Sequence, residues 1–130
     1  MKYSILKNEV YKNRLSETAK KYGLFFAFDE KQLKAGLKET NTEKHELINM
    51  AGGGYISKKN VKKYIDEVLS INTWFVSEVK KLDPVEVIRY ELNNYECYLS
   101  GEVKDAYEVL QQYGFSLEEV EQVFNNEIIN

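Results

Sequence analysis

The segment from Asn60 to Leu82 carries the longest uninterrupted helical pattern in the chain. Its apolar residues recur at spacings of three and four, the period of a helix with one buried face. Asn60 is a residue type that caps helix N-termini, and Pro84 disfavours helical geometry in the residue before it. The pattern therefore predicts one long amphipathic helix. Its apolar face consists of Val61, Tyr64, Ile65, Val68, Phe75, Val79 and Leu82.

The chain length and composition predict one folded domain spanning residues 1–130. Of these residues 43% are hydrophobic and 13% aromatic, enough to bury a core without a metal or a disulfide. Cys97 is the single cysteine, so no disulfide forms within the chain. The N-terminus lacks a signal-type apolar run, and no segment has the roughly 20 apolar residues of a membrane span. We expect a soluble protein of the bacterial cytoplasm.

The first half of the chain mixes helix and strand. A helical pattern covers Asn8–Tyr22 and meets Gly23, a typical residue after a helix C-terminus. The apolar run Leu24–Phe28 has the length and aromatic content of a buried strand. Asp29 then caps a second predicted helix, Glu30–Lys38.

A glycine run divides two short apolar segments between Leu47 and Ser57, which predicts a β-hairpin whose turn needs positive φ. The same run suggests a second interpretation, because backbone amides of a glycine-rich turn can bind an anion next to lysines. The P-loop and dinucleotide-binding fingerprints are absent. The candidate anion-binding residues are Gly52, Gly53, Gly54, Lys58, Lys59, Lys62 and Lys63.

Beyond the long helix the chain reads as helical. Asp83-Pro84 is a helix start, followed by an apolar pattern that continues to Leu99. Asn93-Asn94 interrupts this pattern, so an alternative is a helix that ends there with an extended segment up to Leu99.

Two further helices complete the prediction. One covers Val103–Tyr113, and another follows a Ser116–Glu119 capping box and ends near Glu127. Taken together, the patterns predict a mostly helical α+β domain. Its small antiparallel sheet combines Leu24–Phe28 with the Leu47–Ser57 hairpin.

Few residues are available for catalysis or for metal binding. A structural zinc site usually takes four Cys or His ligands, and His45 and Cys97 are the only two such residues. His45 lies in a polar stretch without the nucleophile elbow of a catalytic triad. A pair of Cys97 with His45 is an alternative, but a half-buried packing role for Cys97 is favoured. Carboxylates are abundant, so a carboxylate- or metal-dependent enzyme remains one hypothesis, although nothing in the sequence places two of them in one pocket. We predict no catalytic residue, no metal site and no cofactor.

Charge divides the chain unevenly. Residues Met1–Leu82 carry 16 Lys+Arg and 10 Asp+Glu, net +6, whereas Asp83–Asn130 carry 2 and 11, net −9, which restores the total of −3. Such a division indicates a partner of opposite charge. An alternative is that the acidic part neutralises the basic half, within the monomer or across a homodimer. The predicted partner-binding residues are Glu91, Glu96, Tyr98, Glu102, Asp105, Tyr107, Glu108, Glu118 and Glu119.

Three motifs resemble a group of small uncharacterised proteins of phages and mobile elements in gut bacteria. They are Phe25–Leu33, with Phe-Phe-Ala-Phe-Asp leading to Gln; the glycine-rich Ala51–Ile56; and Tyr90–Glu96. In that group an Asn-His-Glu-like element is expected, and Tyr95 stands here in place of the histidine, so no histidine chemistry follows. The resemblance covers about Gly23–Gly114 and implies carriage on mobile DNA.

These observations favour a non-enzymatic inhibitor, of the anti-CRISPR or anti-defence type by analogy. It would bind a host protein that handles nucleic acid, for example a CRISPR effector, through the acidic helices. The alternative is a nucleic-acid-binding regulator that uses the lysines between Lys58 and Lys63. We expect no membrane partner.

Overall fold

The computed structural model describes residues 1–129, and it confirms a mostly helical α+β fold with a small antiparallel sheet. The chain forms two compact units: unit 1 comprises Met1–Val10 and the chain from Thr73 onward, and unit 2 comprises Tyr11–Asn72. The helices are α1 (Tyr3–Ile5), α2 (Lys12–Lys21), α3 (Glu30–Glu39), α4 (Val61–Val79), α5 (Pro84–Asn94), α6 (Cys97–Ser100), α7 (Lys104–Leu110) and α8 (Leu117–Ile129). The strands are β1 (Phe25–Phe26), β2 (Leu47–Met50) and β3 (Gly54–Ser57).

The sheet of unit 2 has the order β1-β3-β2 with both pairings antiparallel. Leu47 pairs with Ser57 and Met50 with Gly54, so the predicted hairpin is confirmed. Gly53 has a φ of +82°, and a Cβ there would lie 2.5 Å from the Phe28 ring. Only glycine meets both conditions at this position.

The strand predicted over Leu24–Phe28 is shorter and less buried than expected. Only Phe25 and Phe26 form its ladder, because the Phe28 amide already donates to Gln32 Oε1 at 2.8 Å and α3 begins two residues later. Phe26 is 57% and Phe28 76% exposed, and β1 is an edge strand of the sheet. Phe25 packs against α3 instead, where a Cβ on Gly36 would lie 2.2 Å from its ring.

Helix ends in unit 2 follow local chemistry. Asp29 caps α3 by accepting from the Gln32 amide at 2.7 Å, as predicted. The Asn60 carbonyl accepts the Tyr64 amide at 2.9 Å, while Asn60 Nδ2 donates to the Tyr22 carbonyl at 3.1 Å. Asn60 therefore joins the start of α4 to the end of α2.

Two helix boundaries differ from the sequence prediction. Helical structure begins at Tyr3 rather than Asn8, and a π-helical segment, Leu6–Tyr11, lies between α1 and α2. Tyr3 and Leu6 are buried in this early part, which no local periodicity indicated. α4 ends at Val79 rather than Leu82, and its buried residues are Phe75 and Val79, whereas Ile65 is exposed.

In unit 1 the predicted N-termini of the helices that follow Asp83 and Ser116 are confirmed. Asp83 accepts from the Val85 amide at 3.0 Å with Pro84 in the first helical position. Ser116 and Glu119 form the capping box of α8, each accepting the other's amide at 3.1 Å.

The break after α5 decides between the two alternatives for Asn93–Leu99. α5 ends at Asn94, as one of them predicted, but the segment that follows is not extended. Glu96 takes a φ of +53° and α6 begins at Cys97, so a left-handed residue replaces the expected strand.

The core of unit 1 is made by α4, α5, α7 and α8. Aliphatic residues with at most 1% exposure fill it, and Tyr113 stands edge-on to Phe75 at 6.0 Å and to Tyr3 at 5.9 Å. Those aliphatic residues include Val79, Val87, Leu92, Leu110 and Val120. No helix among residues 1–129 is both long and apolar enough to cross a membrane.

Candidate functional site

The charge division follows the two units. Unit 1 holds 6 Lys+Arg and 13 Asp+Glu, net −7, and unit 2 holds 12 and 8, net +4. Helices α5 to α8 all belong to unit 1. The excess of acidic residues therefore lies in unit 1.

The carboxylate of Glu91 is the exception among these acids, because its side chain has 0% exposure. Its Oε2 accepts from Tyr3 Oη at 2.6 Å and from Lys7 Nζ at 2.5 Å. Its Oε1 accepts from Asn94 Nδ2 at 3.2 Å. Both oxygens are thus satisfied, as a buried carboxylate requires.

Hydrogen bonds extend this cluster on both sides. The Tyr3 and Tyr113 hydroxyls lie 2.7 Å apart, and burial, together with the bonds to Glu91 and Tyr113, raises the pKa of Tyr3. Lys7 Nζ lies 5.8 Å from the centres of the Tyr3 and Tyr90 rings. The cluster therefore fastens the first residues of the chain to α5.

The prediction that Glu91 binds a partner is wrong. Its helical spacing placed it with the acids of a surface, but α5 turns this residue inward, and Lys7 neutralises it. The pairing joins residues 84 apart in sequence, which no local pattern reveals.

The other predicted acids are exposed. In the described part of the chain, residues 1–129, none of them forms an ion pair, whereas Glu127 pairs with Arg89 at 2.6 Å. These exposed acids are Glu96, Glu102, Asp105, Glu108, Glu118 and Glu119.

Two of these acids border surface cavities that share Glu121. Glu102 and Tyr107 line a cavity of about 360 Å³ with Glu121, and Glu118 lines a second of about 400 Å³ with Glu121. We call the first cavity the acidic groove. Its lining also includes Gly101, Val103, Lys104 and Leu117.

The structure does not bring all predicted residues to this groove. Glu119 is held by the α8 capping box and lines a different cavity with Val85 and Ile88. Tyr98 stacks on Phe124 at 5.4 Å and lines another with Arg89, and its buried hydroxyl has no hydrogen-bond partner among residues 1–129. The predicted partner-binding set did not include Glu121, Val103 and Leu117, which line the groove from α8 and from the segment before α7.

The proposed anion site of unit 2 is divided by the hairpin. Gly52 and Gly53 precede β3 and Lys58 follows it, so five residue steps separate Gly53 from Lys58, about 16 Å at roughly 3.3 Å per residue. The Gly53 carbonyl also accepts the Ala27 amide at 3.1 Å. The glycine turn and the exposed lysines Lys58, Lys59, Lys62 and Lys63 thus form no common site.

Other reactive side chains among residues 1–129 include Cys97 and the cluster of Glu43, His45 and Glu46. Burial raises the pKa of the Cys97 thiol, which disfavours the nucleophilic thiolate. Ligand atoms of Glu43, His45 and Glu46 lie within 4.8 Å of one another. Glu43 and Glu46 are already engaged in the capping box of their own turn, and no further feature points to a metal there.

Comparison with curated proteins and with solved structures gave no match. Among protein families, one match covers residues 7–128, and it therefore spans nearly all of both units. This chain belongs to DUF7659, a family of unknown function.

Proposed function

We propose that this protein is a non-enzymatic binding protein that places the acidic helices of unit 1 in the cationic nucleic-acid site of another protein. One observation carries the proposal: Asp105 and Glu108 of α7 and Glu118, Glu119 and Glu121 of α8 are exposed and have no ion-pair partner among residues 1–129, whereas Glu127 at the end of α8 pairs with Arg89. Soluble surfaces usually intersperse both signs of charge. Carboxylates left unneutralised are available to a partner.

The spacing of these acids supports the same proposal. Asp105 and Glu108 are one turn apart on α7, and Glu118 and Glu121 are one turn apart on α8. Residues at this separation lie about 5–6 Å apart on a helix. Repeated negative charge at short intervals is also what a nucleic-acid backbone presents to its binding proteins.

The biological setting we propose is a phage or mobile element, with the partner a host defence protein such as a CRISPR effector. The motif resemblance supports that setting, and the charge of unit 1 suits such a partner. The expected effect is inhibition, because the acidic helices and the nucleic acid would compete for one site.

Affinity purification with two charge-reversed variants tests the proposal. The test variant is Glu102→Lys, Asp105→Lys, Glu108→Lys. Its control reverses Glu17, Glu39 and Asp66, exposed acids of unit 2. Each triple adds six charges and takes the net charge from −3 to +3.

A nucleic-acid-binding protein should bind the wild type and the control, and be lost from the test variant. High salt should release it as well, since exposed charges are screened. A partner retained by the test variant would contradict the proposal.

Direct nucleic-acid binding by unit 2 is the second candidate. Lys58, Lys59, Lys62 and Lys63 are exposed at the start of α4, and none of them forms an ion pair within residues 1–129. Gel shifts at several salt concentrations separate the two functions, because only this one predicts DNA or RNA binding that falls steeply with salt.

A further inference from the structure

The acidic groove combines three kinds of surface in one cavity of about 360 Å³. Glu102, before α7, and Glu121, on α8, supply carboxylates. Val103 and Leu117 supply apolar walls. Tyr107 adds an aromatic ring, and Gln111 Nε2 donates to its hydroxyl at 3.1 Å. The groove is therefore both anionic and partly apolar.

This combination selects among possible ligands. A divalent cation prefers a shell of oxygen ligands, which the valine, leucine and tyrosine ring do not provide. A purely apolar ligand would leave two carboxylates poorly hydrated and unpaired. An organic cation with an apolar stem satisfies both parts.

The chain does not fill the groove with its own cation. Lys104 lines it and is exposed, but forms no ion pair with Glu102 or Glu121. A lysine side chain is a flexible, strongly hydrated point charge, and so gains little from such a site. Both carboxylates therefore remain available.

We propose that the acidic groove binds an arginine side chain presented by the partner. A guanidinium is planar and weakly hydrated, stacks on aromatic rings and pairs with carboxylates through several donors. Its aliphatic stem would lie along Val103 and Leu117. This inference rests on the proposed function and names the residue type that the acidic surface recognises.

The experiment is an NMR titration of the full chain with N-acetyl-arginine amide, with the citrulline derivative as an uncharged, nearly isosteric control. Arginine should shift backbone amide resonances at residues 101–107 and 117–121. Citrulline should leave them in place, and the lysine derivative should bind several-fold more weakly.

Variants assign the contacts. Glu102→Gln and Glu121→Gln should each weaken arginine binding about tenfold, because each removes one charge-assisted interaction. Tyr107→Leu should weaken it several-fold. Glu17→Gln removes an exposed acid of unit 2 and should bind like the wild type.

Three results would overturn the groove assignment: no shift with arginine, equal shifts with citrulline, or binding unaffected by both glutamine variants. These results are separable from a failure of the proposed function. If reversal of Glu102, Asp105 and Glu108 abolishes partner binding while arginine does not bind, the proposed function is supported and the assignment of arginine to the groove is contradicted. If arginine binds and no partner depends on those acids, the groove assignment is supported and the proposed function is contradicted.

Discussion

Glu91 and Glu102 lie eleven residues apart in sequence and have opposite environments. Glu91 is fully buried and accepts from Tyr3, Lys7 and Asn94. Glu102 is exposed at the acidic groove and forms no ion pair within residues 1–129. The comparison teaches that a carboxylate's role is set by what the fold brings to it rather than by its neighbours in sequence.

Physical chemistry separates the two roles. A buried charge costs several kcal/mol to dehydrate, so its partners must remain in place. An exposed charge stays hydrated and contributes about 0–1 kcal/mol even when it is paired. Glu91 should therefore matter to stability, and Glu102 and Glu121 to binding.

Removal of the buried carboxylate gives the largest expected effect. Glu91→Ala leaves Lys7 without its partner and opens a void, and should lower the free energy of unfolding by about 3–5 kcal/mol. Urea unfolding followed by the fluorescence of Trp74, the single tryptophan, measures this. Glu102→Ala is the matched surface variant, and its effect should stay within about 0.5 kcal/mol. Equal losses of free energy of unfolding in the two variants would contradict the difference in role between Glu91 and Glu102.

Loss of one hydroxyl should weaken the cluster less. Tyr3→Phe removes the donor at 2.6 Å from Glu91 and the partner of the Tyr113 hydroxyl. We expect a loss of about 1–3 kcal/mol, because the buried carboxylate of Glu91 loses one hydrogen-bond donor. Tyr107→Phe, at the surface, should cost at most about 0.5 kcal/mol in the same assay. A neutral Tyr3→Phe would show that the cluster adds no stability.

High pH should weaken the same cluster. The pKa of Tyr3 is raised in the folded protein, so above pH 10 the unfolded chain loses this proton while the folded one keeps it. The contribution is fully present below pH about 10 and declines as pH rises further, and the stability lost by pH 11 amounts to about 1.4 kcal/mol. The free energy of unfolding of the wild type and of Tyr3→Phe, measured at several pH values, isolates the contribution of the Tyr3 hydroxyl. Parallel pH profiles for the two proteins would be evidence against this assignment.

The acidic groove should give the smallest effect on stability. The double variant Glu102→Gln, Glu121→Gln should change the free energy of unfolding by less than about 0.5 kcal/mol, because both groups stay hydrated. Binding to a basic partner should nevertheless fall. Thermal unfolding and a binding assay on one preparation test both statements. A large loss of stability here would mean that these carboxylates support the fold.

Local sequence patterns predicted the secondary structure well where the controlling chemistry is local. The Asp29 cap, the Asp83-Pro84 start and the Ser116–Glu119 capping box each involve residues within three positions of one another. The hairpin around Gly53 was predictable because its turn demands positive φ. The role of Gly36 was not predictable. Helix propensity indicates only that glycine destabilises α3, whereas in the fold the absence of a Cβ at Gly36 makes room for the Phe25 ring.

The candidate site could be predicted only in part. Charge counts identified the acidic helices, because net charge needs no knowledge of the fold. They could not separate Glu91 from the exposed acids, since its partners Tyr3 and Lys7 lie more than 80 residues away. The groove was equally hidden, because Glu102 and Glu121 are 19 residues apart in sequence and line one cavity only in the folded unit 1.

A competition measurement tests the central claim most directly. A purified nucleic-acid-binding partner is loaded with labelled DNA or RNA and titrated with this protein at fixed salt. We predict displacement of the nucleic acid by the wild type and none by Glu102→Lys, Asp105→Lys, Glu108→Lys. A ternary complex in which the partner holds both ligands at once would contradict the account.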